Sequence, residues 1–355
     1  MSLRSCRTAG GSVLVIVLLV FSSLPVSAQA PLTAGRLLAR PGQSVSGFLE
    51  IPAGVDEATR IPVTLINGAR PGPTLALIAG VHGYEYPPIT ALQNIRAELA
   101  PQELSGQVII VHVANMPSFL GRTIYYSPVD GKNLNRVYPG RPDGTVSERI
   151  AHVITTEVID RADFVVDMHG GDGNEALRPY CYFMQTGRPG LDEATRRLVV
   201  AFGLDHIVID PDRPGDPGQS LYTANTALTR GKPAITTETG QLGSNDARWV
   251  AMAERGVWNV LRHLDMVAGE PDEAPAVVWL ERYEVLRSEV TGIFKAAVRD
   301  GYVVAEGALL GTLHDFFGRR VGEVRAPFAG VVNYVIDTPP ISEGEPVAML
   351  SRIRP

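Results

Sequence analysis

The chain has 355 residues, is 45% apolar and carries 32 Lys and Arg against 38 Asp and Glu, a formal charge of -6. That acidic balance excludes a nucleic-acid binder, which needs a basic footprint facing the phosphates. Of the two cysteines, Cys6 falls in an N-terminal segment that reads as removable, which leaves Cys181 with no partner for a disulfide, so stability has to come from core burial.

In residues 1–30, Arg4 and Arg7 precede an uncharged apolar run from Val13 to Phe21. The run is far shorter than the roughly twenty residues that span a bilayer. It gives way to small residues, and Ala28-Gln29-Ala30 fits the small-x-small pattern of a cleaved secretory signal. Loss of two positive charges takes the formal charge from -6 to -8. The mature protein is expected to be soluble and periplasmic or secreted, with no stable membrane anchor after cleavage; its oligomeric state is left open.

From about residue 60 to 266, short β-branched apolar runs alternate with longer amphipathic stretches. The runs predict strands at 74–79, 108–114, 163–167, 206–209 and 234–237, and their unbroken apolar character predicts burial on both faces of a mostly parallel or mixed sheet covered by helices. Pro87 marks a first helical turn, followed at helical spacing by Ile89, Leu92, Ile95 and Leu99. Further helices are predicted at 147–160 and 246–268. The proline- and acid-rich segment 268–275 reads as a boundary between a catalytic region, 31–270, and a C-terminal β-module, 276–355, where short alternating runs are separated by glycine turns.

The chemistry gathers at predicted strand ends. Gly80-Val-His-Gly-Tyr-Glu85 follows the 74–79 strand directly, placing His82 and Glu85 at the edge where open α/β sheets bind ligands. Asp167-Met-His-Gly-Gly171 puts His169 at the same edge. Two imidazoles and a carboxylate are the donor set of a catalytic zinc site, whose fourth position is kept for water. Such a water needs a proton acceptor that is not itself a ligand, and Glu238, ending the 234–237 strand before a glycine turn, is placed to serve as general base. In the donor-rich loop Asp130-Gly-Lys-Asn-Leu-Asn-Arg136, Arg136 offers a planar fork for a substrate carboxylate and Asn135 a neutral donor, while Arg122 upstream is expected to stabilise the oxyanion. His112, inside the apolar 108–114 run, reads as a core residue. His152, His206, His263 and His314 have no partner motif.

In this order, Gly-Val-His-Gly-Tyr-Glu, Asn-Leu-Asn-Arg, Asp-Met-His-Gly and Thr-Glu-Thr-Gly resemble the succinylglutamate desuccinylase/aspartoacylase family, relatives of the zinc carboxypeptidases, over roughly residues 60 to 355. The resemblance implies a three-layer α/β/α mixed sheet of zinc carboxypeptidase type and one zinc ion per chain on His82, Glu85 and His169. It also implies Glu238 as the catalytic glutamate and Asn135 with Arg136 as carboxylate binders. Arg122 matches the carbonyl-polarising arginine at a longer spacing than in aspartoacylase itself. The β-module is similar to the barrel-sandwich hybrid of biotinyl and lipoyl domains. No lysine stands at a hairpin tip, the last one being Lys295, so a swinging-arm carrier is excluded and a structural or covering role is expected. The expected activity is deacylation of a small N-acyl amino acid bearing a carboxylate; an exported zinc carboxypeptidase acting on short or cell-wall stem peptides is the alternative.

Overall fold

The computed structural model describes residues 29–273 and 276–355. The expected signal segment lies outside the described residues up to position 28. Among the described residues no helix is long and apolar enough to cross a membrane.

A 13-stranded mixed sheet organises the molecule. At one edge the strands Gln43–Ile51 and Thr59–Asn67 form an antiparallel pair, and the second of these runs antiparallel to Ser105–Val111. Arg70–Ala79 is parallel to Ser105–Val111 on one side and to Phe164–His169 on the other. Ala234–Glu238 follows, parallel to Phe164–His169 and antiparallel to Tyr180–Met184, which in turn lies parallel to His206–Asp210.

Side chains alternate across a strand, so a central strand must be apolar throughout to satisfy two cores. Arg70–Ala79 sends Ala76 and Ile78 into one cluster and Leu75, Leu77 and Ala79 into another. On the first face lie Val146–Glu157 and Thr223–Thr229, contributing Ile150, Ile154, Ala224 and Ala227. On the second, Tyr86–Glu98, Pro189–Phe202 and Ala247–His263 contribute Leu92, Ile95, Leu198, Phe202, Val257 and Leu261. Helices on both faces make the three-layer α/β/α architecture that the apolar runs predict.

The C-terminal region differs from a simple appended module in one respect. Its first strand, Val278–Arg287, pairs parallel with His206–Asp210, and Pro346–Ile353 and Gly330–Ile336 extend the same sheet beyond it. Glu175–Leu177, from the α/β region, pairs onto Gly330–Ile336. A second sheet of four strands, including Gly292–Ala296, Leu309–His314 and Arg320–Arg325, packs over this extension around Phe294, Leu310, Val332 and Leu350. The hydrogen-bonded ladder therefore crosses the expected boundary at 268–275. Lys295 lies within the Gly292–Ala296 strand and at no hairpin tip.

Candidate active site

Arg70–Ala79 ends in a turn that only glycine fits. Gly80 has φ +69°, and a Cβ there would lie 2.9 Å from the Val113 Cα; at Gly83 a Cβ would meet the Ser118 carbonyl oxygen at 2.4 Å. The turn is thus pressed against the 113–123 segment, which fixes His82 and sets Glu85 as the cap residue of helix Tyr86–Glu98. His169 and Glu238 are the last residues of neighbouring parallel strands and face each other as ladder partners. All four side chains reach one sheet edge and line one cavity of about 440 Å³, the size of a small-molecule site.

Ligand atoms of His82, Glu85 and His169 lie within 4.8 Å of one another. His82 Nδ1 is 2.7 Å from Glu85 Oε1, and His169 Nδ1 is 3.2 Å from Oε1 and 3.0 Å from Oε2. Each outer nitrogen faces an oxygen: His82 Nε2 hydrogen-bonds Asn133 Oδ1 at 3.1 Å, and His169 Nε2 lies 3.1 Å from Asp167 Oδ1 as a close charge contact without hydrogen-bond geometry. Asp167 and His169 share a strand face because they are two residues apart. Two Nδ1 atoms and a carboxylate thus converge as potential metal ligands. Such a set of acceptors repels itself unless protons or a cation sit among them.

The electrostatics match. Burial opposes ionisation of Glu85, but His169 and His82 outweigh it and hold the carboxyl down to about 2. Burial likewise opposes charge on His169, which Asp167 and Glu85 more than offset, raising it well above the ordinary imidazole value; His82 is raised against burial by Glu85. Glu85 Oε2 lies close to His169 Nδ1 without the geometry of a hydrogen bond. A divalent ion satisfies the same donors by replacing those protons, so the residues fit the metal that the donor set implies. Asn133 fixes the orientation of the His82 ring by its hydrogen bond, as ligating histidines require, and Asp167 sets a negative charge beside His169.

Glu238, half-buried, is not part of this triad. Burial pushes its carboxyl well above the usual range, and the nearby His169 pulls it down only in part. Asn135 is 9% exposed with its amide engaged: Nδ2 is 3.4 Å from His169 Nε2, and Oδ1 accepts from the Thr223 backbone N–H and hydroxyl at 2.8 and 3.1 Å. Arg136 lies with its guanidinium 4.7 Å from the Tyr222 ring centre. A second guanidinium, Arg213, stacks on the same ring at 3.8 Å and is held by Asp210, which also accepts from Tyr283 Oη at 3.2 Å.

The structure does not bring Arg122 to these groups. It caps the short helix Met116–Gly121 in the left-handed region at φ 51°, is exposed, and is not among the cavity-lining residues. His112 lies just past its strand, which ends at Val111; its Nε2 bonds Thr64 Oγ1 at 2.9 Å, away from the cavity. Sequence reasoning missed Asn133, Asp167, Tyr125, Glu175 and Arg213. Of these, Asp167, two positions before His169 on a strand, was the one with a readable signal. The C-terminal region forms a wall of the cavity through Tyr283, Val285, Arg287, Tyr334, Pro346 and Met349.

Fold and centre together define a hydrolase with the carboxypeptidase-like α/β/α scaffold. Residues 71–264 match the family model of the succinylglutamate desuccinylase/aspartoacylase catalytic domain. An N-alpha-acetyl-L-2,4-diaminobutyric acid deacetylase from Halomonas elongata is 32% identical over 326 residues, covering 86% of this chain and 91% of that protein. Among solved structures, the product-bound ectoine utilization protein EutE (DoeB) from Ruegeria pomeroyi superposes with a TM-score of 0.79 at 30% identity, covering 92% of this chain and 99% of that one. A succinylglutamate desuccinylase from a Silicibacter species gives 0.78 at 28% identity, with coverage of 93% and 99%. The chain belongs to the succinylglutamate desuccinylase/aspartoacylase family.

Proposed function

We propose that this protein is an exported deacylase that hydrolyses the amide bond of a small N-acyl amino acid, with one zinc ion held by His82, Glu85 and His169. The relative that acts on N-alpha-acetyl-L-2,4-diaminobutyric acid supports an acetylated amino acid as substrate. His82, Glu85 and His169 would hold the zinc ion, which would supply the Lewis acidity that makes water a nucleophile near neutral pH. Glu238 takes the proton of the attacking water on its carboxylate and returns it to the leaving nitrogen as the C–N bond breaks, giving a carboxylic acid and a free amine. Its burial gives it the raised proton affinity that this exchange needs. Arg136 and Arg213, gathered on Tyr222, hold the substrate carboxylate.

The observation that carries this reading is the placement of Glu238 beside His169 across one parallel ladder, at the mouth of a three-donor centre. The test measures acetate released from N-acetyl amino acids by zinc-loaded protein alongside residues released from the C-termini of short peptides. Acetate release is expected to dominate; release of C-terminal residues alone overturns the reading. Export is tested by the mass of the chain recovered outside the cytoplasm, which is expected to lack the first thirty residues.

A further inference from the structure

The proposed chemistry leaves one cavity carboxylate unused. Glu175 opens the strand Glu175–Leu177, whose pairing with Gly330–Ile336 places Glu175, Leu177 and Tyr334 on the cavity lining. It is 9% exposed. Its Oε1 accepts from Tyr125 Oη at 2.7 Å and its Oε2 from the Asp172 backbone N–H at 3.1 Å. The ring of Tyr125 stands edge-on to His82, with centroids 6.2 Å apart, which sets the carboxylate on the His82 side of the centre.

A carboxylate has about four acceptor sites, and the described hydrogen bonds occupy two of them. Among the described residues no lysine, arginine or histidine forms an ion pair with Glu175, although Arg136, Arg213 and Arg287 line the same cavity. Its charged neighbours are acids: burial first, then Asp172 and Glu85, push its carboxyl up to about 7 despite the Tyr125 hydrogen bond. A buried carboxylate lacking a counter-charge is costly, and a ligand ammonium, with three donors, is its natural complement. Two guanidiniums thus stand on Tyr222, while on Tyr125 stands a carboxylate that makes no ion pair among the described residues.

We infer that Glu175 determines substrate specificity by receiving the side-chain ammonium of an N-acyl diamino acid, while the two guanidiniums on Tyr222 receive its carboxylate. The inference rests on the deacylase reading for the identity of the acylated end. It adds the residue that selects a cationic side chain over an apolar one of equal size.

The experiment compares N-acetyl-2,4-diaminobutyrate with N-acetylnorvaline, which replaces the ammonium by a methyl group. For zinc-loaded wild type the ratio of kcat/KM values is expected to favour the diamino substrate. In Glu175→Gln this ratio is expected to fall about 10- to 100-fold, the size of a lost charge-assisted hydrogen bond, and Glu175→Asp is expected to recover part of it. Calorimetric binding of 2,4-diaminobutyrate against norvaline gives the same comparison without turnover. Equal handling of the two side chains by wild type, or an unchanged ratio in a Glu175→Gln protein of normal zinc content and melting temperature, overturns the inference. Glu175-dependent binding without any deacylation overturns the deacylase reading and leaves this one standing.

Discussion

The two walls of the cavity are built from different material. The wall formed by strand ends of the α/β region carries charge: His82, Glu85, His169 and Glu238, backed by the buried Asp167 and the half-buried Asn133. The wall formed by the C-terminal region carries shape, with Tyr283, Val285, Tyr334, Pro346 and Met349 and the single exposed charge of Arg287. Parallel strand ends hold side chains to a fixed register, which proton transfer and metal ligation demand. Metal ligation and proton transfer are confined to the first wall, while the second shapes the pocket: changes at His82, Glu85, His169 or Glu238 should act on kcat and metal content, and changes on the second wall on KM.

The largest effect should come from Glu238→Gln, expected to lower kcat by roughly 10²- to 10⁴-fold with elemental analysis still finding near one zinc per chain. Loss of zinc together with activity would place Glu238 among the ligands. Next, His169→Ala is expected to abolish zinc binding, so that zinc no longer raises the melting temperature. In wild type, zinc at a thousand times its dissociation constant should contribute about 4 kcal/mol, and a chelator should remove it.

Titration of Glu175 comes third. Its folded-state carboxyl is raised to about 7, so the folded chain holds that proton more tightly than the unfolded one. The resulting stability, on the order of 3 kcal/mol, is complete below the ordinary carboxylate range and lost as pH rises through about 7. Denaturant midpoints across this range should fall more steeply with pH in wild type than in Glu175→Gln, the remaining slope coming from groups such as Asp172, raised to about 6. Arg213→Met should raise KM for carboxylate-bearing substrates by about 10- to 100-fold with little change in kcat. Tyr283→Phe, on the second wall, removes one hydrogen bond to Asp210 and should cost about 1 kcal/mol, read as a KM increase of a few-fold. A fall in kcat of similar size in Tyr283→Phe would erase the distinction between the walls.

The first wall was legible because its backbone obeys simple rules. Strands such as Arg70–Ala79 and Phe164–His169 carry unbroken apolar runs, Leu75 to Ala79 and Phe164 to Val166, and each ends in a glycine turn that advertises the functional side chain. The hairpin Gln43–Ile51 and Thr59–Asn67 was not read, because Ser44, Ser46 and Gly47 dilute the alternation in its outer strand. Arg213 hides in the run Pro211-Asp-Arg-Pro-Gly-Asp-Pro-Gly218, whose composition reads as an exposed loop, yet Asp210 and Tyr222 draw the guanidinium inward. Arg122 is the converse: its place upstream of the donor-rich loop suggests the site, while in the fold it caps a short helix and is exposed. The second wall was legible as β-structure but not as a continuation of the main sheet, since pairing between His206–Asp210 and Val278–Arg287 joins segments with no shared local pattern.

That parallel ladder has a practical meaning for anyone who would redesign the enzyme. A cover resting on a surface can be trimmed, swapped or swung aside, whereas this one is sewn into the fabric beneath it. Cutting the chain near residue 275 would strip His206–Asp210 of its neighbour and bare a raw edge of backbone donors and acceptors, an invitation to self-association. Retuning what the enzyme accepts therefore calls for replacing individual side chains on an intact frame.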